Sequence, residues 1–384
     1  ELGGSFAIMT ATFPGFLKDM MEDYGIKFKM PEPFVDEEKI RHSVEWHEEE
    51  ITEDFILEKY NNNRVLVICN TVRRCQDIYN RLSEKMKLQM SDSSHKLIDD
   101  RELNMLHGKY IYADRVEKEK AILSFGKIDE GGTKDNRKGI WIASSIAEAS
   151  LDVDFDILIT ELSDVNGLFQ RMGRCYRKRS WNGDGANCYV FDGGEKKCSG
   201  AGYNIDENIF ELSKEKLREY FKTAPRELRE IDKMNLVRDI YSTKNMKGGK
   251  CSKYYDKIKK CIEQPKLYLP AENTKPDAQK LFRDITTETV IPLAVFENNK
   301  DEIERLEESL SDRNLNMEEK IRNREKLKTF ALDIERYRLG KVNPKHTITL
   351  NKGQNIKVID AEYNSEMGLM SIIVKDQEVQ SNII

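Results

Sequence analysis

The fold is decided by residues 64–86, which read RVLVICNTVRRCQDIYNRLSEKM. The opening six residues form an apolar, β-branched run, which is typical of a parallel strand covered on both faces. Apolar side chains then recur at the spacing of a helix, at Val72, Cys75, Ile78, Tyr79, Leu82 and Met86. A strand that leads directly into a helix predicts a parallel α/β sheet with crossover helices.

Working outward from this unit, the sequence predicts the remaining elements. Further strands are predicted at 103–106, 139–143 (GIWIA), 156–160 (DILIT) and 186–191 (ANCYVF), with a charged helix at 114–125. Upstream, the patterns indicate a short strand at 5–10 (SFAIMT), a helix at 15–24 and a connecting segment at 30–50. Downstream, a helical linker at 205–262 precedes strand-like stretches at 280–296 and 346–374, which flank a charged helical pair at 300–340. We therefore predict an α/β domain followed by a helical linker and a small α+β domain.

Composition restricts the class of protein. The 384 residues are 39% hydrophobic and 34% charged, with a net charge of −5, which indicates a globular chain without a uniformly basic surface. Local basic patches remain possible. Seven cysteines without a CxxC pair suit a reducing compartment, and no apolar run has the roughly 18 residues that a membrane span needs. We expect a cytoplasmic protein without a membrane partner, whose N-terminus looks cut.

The strongest chemical signal lies at residues 170–177, QRMGRCYR. Arg174 and Arg177 are three apart, so on a helix both guanidinium groups would leave one face. Two guanidinium groups on one face would bind an anion. The transfer of a γ-phosphoryl group needs such cations, because negative charge spreads over the phosphoryl oxygens during the reaction. Alternatively, these arginines belong to a basic surface run, RCYRKR.

These residues and their neighbours resemble the motifs of superfamily 2 helicases. Gln170, Gly173, Arg174 and Arg177 match motif VI, and residues 143–145, 148–149 and 151–152 match motif V. Ser150 departs from the family's usual glycine, which affects the local turn. Cys69, Asn70 and Thr71 resemble motif IV, His107 with Arg115 and Glu117 resembles the next block, and Thr10, Ala11 and Thr12 match motif III. The resemblance implies RecA-like motor domains.

The resemblance also implies roles for individual residues. The catalytic residues would be Arg174 and Arg177, directed at the γ-phosphate, and Gln170, directed at the phosphate or the attacking water. Asp152 and Gly173 would lie at the ATP site, with Asp152 reaching the ribose or orienting the arginines. The nucleic-acid-binding residues would be Asn70, Thr71, His107, Ser144 and Ser145, with Thr71 and Ser144 touching phosphates through hydroxyl and N–H groups. Residues Thr10, Ala11 and Thr12 would couple ATP state to domain movement.

Two motifs of a complete ATPase are missing from the sequence. Gly-Lys pairs occur at residues 108, 126, 249 and 340, but Ser or Thr never follows, so there is no GxxxxGK[ST] phosphate cradle. No Asp-Glu pair follows an apolar strand as a DExH box would. We interpret residues 1–29 as the end of a first RecA-like domain, 30–204 as the second, 205–262 as the helical linker and 263–384 as a C-terminal accessory domain. ATP and Mg²⁺ would then be bound jointly with a missing first domain.

Within the superfamily, the sequence resembles the helicase–nuclease of type I CRISPR systems. The stretches that carry this resemblance are residues 65–79, residues 143–177, Leu281 to Asp284, Tyr363, and Gly368 with Leu369. It implies an ATP-dependent motor that pulls single-stranded DNA 3′ to 5′, with an N-terminal helicase–nuclease half and an RNA-guided surveillance complex as partners. The family's nuclease is a metal-dependent HD domain, and none of the five histidines here precedes Asp, so we predict no metal site.

Two other functions remain open. An RNA helicase of the same superfamily would carry the same phosphate-directed motifs, because contacts to phosphates do not distinguish the sugar. A non-catalytic adaptor that retains a RecA-like fold would not need Gln170 or the arginine pair, which favours the enzyme over the adaptor.

Overall fold

A computed structural model describes residues 7, 8, 10, 13–32, 35, 39–61, 63–91, 102–127, 137–148, 151–263, 287–312, 314–340, 342–351 and 354–373. The larger sheet has seven strands: β1 His42–His47, β2 Arg64–Ile68, β3 Leu103–Leu106, β4 Gly139–Ala143, β5 Ile157–Glu161, β6 Cys188–Phe191 and β7 Glu227–Leu228. Their spatial order is β3-β4-β2-β5-β6-β1-β7, and every pairing is parallel except that of β7 with β1. The predicted α/β fold with a parallel sheet is confirmed.

Helices cover both faces of this sheet. They are α1 Gly15–Asp23, α2 Glu53–Tyr60, α3 Val72–Ser91, α4 Tyr112–Phe125, α5 Val165–Met172, α6 Glu207–Thr223, α7 Glu230–Ile240, α8 Thr243–Lys247 and α9 Ser252–Glu263. Successive residues of β2 enter different cores: Leu66 packs in the core that includes α5 and α6, and Val67 packs in the core that includes α3. Two-sided burial explains why this strand is apolar at consecutive positions.

Two upstream predictions are corrected. Part of the predicted connecting segment 30–50 is strand β1, which lies inside the sheet between β6 and β7. Four of the six residues in its sequence HSVEWH are polar, and two of them, His42 and Ser43, are buried. The His42 ring finds hydrogen-bond partners there. Of the predicted strand 5–10, the described residues Ala7, Ile8 and Thr10 lie outside any strand, and Ile8 is 59% exposed. A strand requires a neighbouring strand to pair its backbone groups.

The segment predicted as a helical linker is helical, and it also completes the large domain. Ile209 and Leu217 of α6 are buried in the core of the sheet, and β7 extends the sheet beyond β1. The boundary of the domain at residue 204 stays a prediction. No helix within the described ranges is both long and apolar enough to cross a membrane.

The small C-terminal sheet domain is present as predicted. Its elements are β8 Thr287–Pro292, α10 Leu293–Asn298, α11 Lys300–Ser311, α12 Met317–Thr329, β9 Leu332–Glu335, β10 His346–Asn351, β11 Gln354–Ile359, β12 Ala361–Asn364 and β13 Gly368–Ile372. Four strands form a sheet in the order β10-β11-β8-β9, and β12 pairs with β13 as a hairpin. The predicted strand stretch 280–296 instead becomes helical at Leu293, directly after Pro292, whose fixed φ suits a helix start.

The β12–β13 hairpin joins the two domains. The Gln76 amide of α3 donates to the carbonyls of Met367 and Leu369, at 2.8 and 3.0 Å. The Leu369 N–H donates in turn to the Lys109 carbonyl at 2.8 Å. Gly368 has φ +70, and a Cβ added there would lie 2.6 Å from Cε1 of His107. The close approach and the left-handed backbone both explain glycine at this position.

Candidate functional site

The predicted binding residues gather at one edge of the sheet. Because β2, β3, β4 and β5 are parallel, their carboxyl ends meet at the same edge. Asn70 and Thr71 follow β2, His107 follows β3, and Ser144 with Ser145 follows β4. Ligands of open α/β sheets bind outside the carboxyl ends of the strands, so the topology places these residues where a ligand site is expected.

The arginine pair of the predicted motif VI does not share a helix face. Helix α5 ends at Met172 with Gly173 as its C-cap, so Arg174 and Arg177 lie in the following turn. There the chain turns back against residue 155, where the Phe155 N–H donates to the Arg174 carbonyl at 2.9 Å, and Tyr176 adopts φ +48. The prediction of one helical face is therefore wrong, and these backbone contacts orient the two arginines instead.

Arg177 forms an ion pair with Asp152 at the protein surface. Nε of Arg177 lies 2.8 Å from Oδ1 of Asp152, and the two side chains are 39% and 61% exposed. Lys178 contacts the other carboxylate oxygen at 3.7 Å. Exposed ion pairs contribute little to stability, so the guanidinium group can exchange this carboxylate for another anion at small cost. The geometry thus agrees with an orienting role for Asp152.

Arg174 is engaged with the loop of the predicted motif V. Its Nε donates to the Ala147 carbonyl at 3.1 Å and its Nη2 donates to the Glu148 carbonyl at 2.7 Å. Nη1 donates to the Leu151 carbonyl. Burial and the neighbouring Arg177 lower the pKa of Arg174. All three nitrogens therefore hold the loop, and Arg177 is the arginine of the pair whose side chain is open to a ligand.

Arg171 is a site residue that the sequence analysis missed. It is 1% exposed, and its Nε donates to Oε1 of Glu148 at 2.7 Å. Nη1 donates to the Thr160 hydroxyl at 3.1 Å and to the Glu161 carbonyl at 2.8 Å. Arg171 thereby ties the motif V loop and the end of β5 to helix α5. The sequence signal that could have revealed the burial of Arg171 was its position next to the apolar residue Met172, because both residues lie on the buried side of α5.

His42 is a second missed residue, and it supports the turn after α5. Its Nε2 lies 2.7 Å from the Met172 carbonyl and 3.0 Å from the Cys175 carbonyl. Since carbonyls only accept, Nε2 carries the proton, and Nδ1 accepts from the Lys233 ammonium group at 2.7 Å. Burial and Lys233 lower the pKa of His42. A neutral histidine from β1 therefore fixes the backbone that presents Arg174.

Gln170 and Gly173 occupy the end of α5. Gln170 is exposed, so its amide is accessible to a ligand. The Gly173 N–H donates to the Phe169 carbonyl at 3.1 Å, and a Cβ added at Gly173 would lie 3.2 Å from the Gln170 carbonyl oxygen. Gly173 is thus the C-cap at which α5 passes into the turn that carries Arg174.

The predicted nucleic-acid residues differ in accessibility. Ser145 is exposed at the start of a short 3₁₀ helix, Ser145–Glu148, whereas Ser144 is buried and its N–H donates to the Leu106 carbonyl at 3.2 Å. The Ser144 N–H is therefore engaged at the sheet edge, and a contact of Ser144 with a phosphate stays a prediction. Thr71 accepts from the Arg74 N–H at 3.2 Å and caps α3. The Asn70 amide points inward to the Leu162 carbonyl at 2.8 Å.

His107 is corrected from a nucleic-acid ligand to a structural residue. Its ring is 0% exposed and stacks on Tyr110 with 4.2 Å between centroids. Nε2 contacts the Met367 carbonyl at 3.0 Å, and Nδ1 accepts from the Lys109 N–H at 3.1 Å. Both nitrogens are therefore used at the domain junction. Of the predicted coupling motif, Thr10 is described, and Ala11 and Thr12 lie outside the described residues, as do Ala149 and Ser150.

Buried histidines predict a pH dependence of stability. Burial lowers the pKa of His107 to about 3 from 6.5. Between these values the unfolded chain binds a proton that the folded chain does not. The contribution of neutral His107 to the free energy of unfolding is therefore fully present above about pH 6.5 and decreases as the pH drops toward 3. His42 contributes in the same direction. We expect each histidine to add a slope of up to about 1.4 kcal/mol per pH unit.

Urea unfolding between pH 5 and pH 7, above the range in which most carboxylates titrate, measures this slope. A His107→Gln variant keeps a donor for the Met367 carbonyl but cannot titrate. The slope of its unfolding free energy against pH should be smaller, by up to the contribution of one proton. An unchanged slope in that variant would contradict the assignment.

Comparison with known proteins finds similarity along most of the chain. Residues 61–180 match the family described as CRISPR-associated nuclease/helicase Cas3, C-terminal. The CRISPR-associated nuclease/helicase Cas3 of Methanothermobacter thermautotrophicus is 24% identical over 327 residues, which are 79% of this chain and 35% of that protein. The chain therefore spans about a third of the length of that relative, and 24% of the length of a second one from Methanocaldococcus jannaschii.

Solved structures share the fold. The crystal structure of T. fusca Cas3-ATP superposes with a TM-score of 0.59 at 15% identity, covering 92% of this chain and 43% of that one. A chain of a CRISPR RNA-guided surveillance complex in a pre-nicking state superposes with a TM-score of 0.57 at 16% identity, covering 90% of this chain and 44% of that one. The family match at residues 61–180, the relative that aligns along most of the sequence and the shared fold together support similarity to the C-terminal helicase part of the Cas3 nuclease/helicases.

Proposed function

We propose that this chain is the C-terminal motor part of an ATP-dependent helicase that translocates 3′ to 5′ on single-stranded DNA during CRISPR interference. The observation that carries the proposal is the exposed Arg177–Asp152 pair next to a motif V loop that Arg171 and Arg174 hold in place. A partly exposed arginine on a rigid support suits a phosphate supplied from a facing domain. The surveillance complex seen with the similar chain is the partner class we propose here.

In this proposal the nucleotide lies between this domain and a first RecA-like domain. Arg177 binds the γ-phosphoryl oxygens, and Gln170 orients the phosphate or the attacking water. Asp152 holds Arg177 until the nucleotide arrives, and Gly173 allows the turn that presents the arginines. Arg174 acts on the γ-phosphate only if it leaves the loop carbonyls, so we assign it first to positioning that loop. Mg²⁺ would accompany the nucleotide and neutralise phosphate charge, held by residues of the first domain.

Single-stranded DNA would cross the carboxyl edge of the sheet. In this proposal the phosphate contacts are Ser145, which is exposed, and Thr71, which is 6% exposed and caps α3 through its hydroxyl group. Ser144 and Asn70 support this edge through buried hydrogen bonds. Such contacts read the backbone and not the sequence, as a translocating motor requires. Nuclease activity is assigned to a domain outside this chain, and motif III to Thr10, Ala11 and Thr12.

The test is nucleic-acid-stimulated ATP hydrolysis by this chain combined with the first RecA-like domain that carries the phosphate cradle. We expect single-stranded DNA to stimulate hydrolysis more than RNA of the same sequence. Stronger stimulation by RNA would favour the RNA helicase. Binding to a surveillance complex without any ATP hydrolysis in the combined protein would favour the non-catalytic adaptor.

A further inference from the structure

The loop that follows β6 is packed directly on the predicted motif IV. It runs from residue 192 to residue 205 with the sequence DGGEKKCSGAGYNI. Gly200 has φ +76, and a Cβ added to it would lie 3.1 Å from Cγ2 of Thr71. The Asn204 amide reaches the Asn70 carbonyl at 3.5 Å. The loop is therefore a neighbour of the residues proposed to hold a nucleic-acid backbone.

Internal hydrogen bonds fix the conformation of this loop. The N–H groups of Tyr203 and Asn204 donate to the Gly200 carbonyl at 3.1 and 3.0 Å, and the Gly202 N–H donates to the Ile205 carbonyl at 2.9 Å. Gly200 and Gly202 both have positive φ, which glycine adopts without strain. At the base of the loop, Ser199 is anchored through its N–H to the Glu161 carboxylate at 3.1 Å. The backbone around Tyr203 is thus defined before any ligand binds.

Tyr203 itself is presented to solvent. Its side chain is 78% exposed, the highest fraction among the exposed large hydrophobic residues of the described chain. The ring is therefore accessible to a ligand from solvent. Lys196 of the same loop is 80% exposed, and its pairing with Glu50 at 3.5 Å is a surface contact that salt weakens.

We propose that Tyr203 is a stacking platform for an unpaired base of the single strand whose phosphates pass Thr71. An aromatic ring beside a backbone-binding edge is the combination that binds single strands without sequence preference, because every base has a π-face. The occupant is one nucleobase, and Lys196 of the same loop adds attraction for the strand's phosphates. The inference rests on the proposed function and adds to it a residue that grips bases between translocation steps.

The test is the binding of a fluorescein-labelled oligothymidylate to this chain combined with its first RecA-like domain, measured by anisotropy. We expect Tyr203→Ala to weaken binding by about 5- to 100-fold, the range that loss of one base stack gives. Tyr203→Phe keeps the ring and should bind like wild type. Tyr337→Ala removes a tyrosine that is 73% exposed in the C-terminal domain and serves as the matched control, with unchanged binding expected.

An abasic oligonucleotide of equal length separates stacking from backbone contacts. Wild type and Tyr203→Ala should bind it equally, since no base remains to stack. A Tyr203→Trp variant adds a direct signal, because its indole fluorescence should be quenched by oligothymidylate and not by the abasic strand. Urea unfolding checks that Tyr203→Ala is folded, and an exposed side chain predicts an unfolding midpoint like that of the wild type.

The outcomes distinguish the two proposals. If the wild type binds oligothymidylate and Tyr203→Ala binds it equally well, the stacking inference is overturned and the proposed motor function stands. If the wild type binds neither oligonucleotide and single strands do not stimulate ATP hydrolysis, the motor function fails, and the inference fails with it. Weaker binding of both oligonucleotides by Tyr203→Ala would show a structural role of the loop and also overturn stacking.

Discussion

Replacement of Arg177 by alanine is expected to lower single-strand-stimulated ATP hydrolysis by about 10³- to 10⁵-fold, the effect of losing an arginine finger. The side chain is 39% exposed, and its ion-pair partner Asp152 is 61% exposed. Removal of an exposed ion pair costs little stability, so the loss should appear in the rate and not in folding. The measurement is steady-state ATP hydrolysis by this chain combined with the first RecA-like domain, with saturating single-stranded DNA.

Lys178 supplies the matched control. It is an adjacent cation that contacts the same carboxylate at 3.7 Å, and it is 55% exposed. Lys178→Ala should leave hydrolysis within a factor of a few, because it changes the local charge by the same amount without removing the forked guanidinium group. Equal effects of the two substitutions would show that only local charge matters. Unchanged hydrolysis in Arg177→Ala, with DNA binding intact, would remove Arg177 from the nucleotide site and favour the adaptor.

Replacement of Arg171 by alanine is expected to lower the free energy of unfolding by about 3 to 5 kcal/mol, the usual cost of removing one partner of a buried ion pair. The side chain is 2% exposed and contacts the Glu148 carboxylate at 2.6 Å. It also satisfies the Thr160 hydroxyl and the Glu161 carbonyl, which the alanine would leave without this donor. Urea unfolding followed by circular dichroism measures the change.

Two further substitutions define the origin of this cost. Glu148→Gln keeps an acceptor for the Arg171 donors and should cost less than Arg171→Ala, because Glu148 is 18% exposed and its site is partly solvated. Lys178→Ala, on the surface, should change stability by no more than about 0.5 kcal/mol. If Arg171→Ala is as stable as Lys178→Ala, then the buried network does not hold the motif V loop in place.

The sequence predicted the elements whose pattern is local. Consecutive apolar residues identified β2, β4 and β5, because strands covered on both faces carry apolar side chains at successive positions. Strand β1 was missed because His42 and Ser43 are polar yet buried, and their burial depends on partners distant in sequence, such as Lys233 and Asn187. Strand β7 has two residues, too few for any pattern.

For the candidate site, too, the sequence indicated some features and only the structure gave the others. The spacing of Gln170, Gly173, Arg174 and Arg177 was sufficient to indicate a helicase motif, since the chemistry of forked cations is a property of the residues themselves. The spacing did not predict the orientations of these side chains, because α5 ends at Met172 and the turn that follows pairs with residue 155. The sequence could not show that Arg174 would hold backbone carbonyls while Arg177 remained exposed.

The sequence by itself determined the α/β class and the resemblance to a helicase, through hydrophobic periodicity and the order of short motifs. Only the tertiary structure decided which polar residues are buried with partners and which are exposed. It buried His107 under the β12–β13 hairpin, placed Arg171 beneath the motif V loop and left Tyr203 exposed on the loop whose Gly200 packs against Thr71. The physical reason is that periodicity records the burial of apolar side chains, whereas a polar side chain acquires its role from the partners that distant segments bring to it.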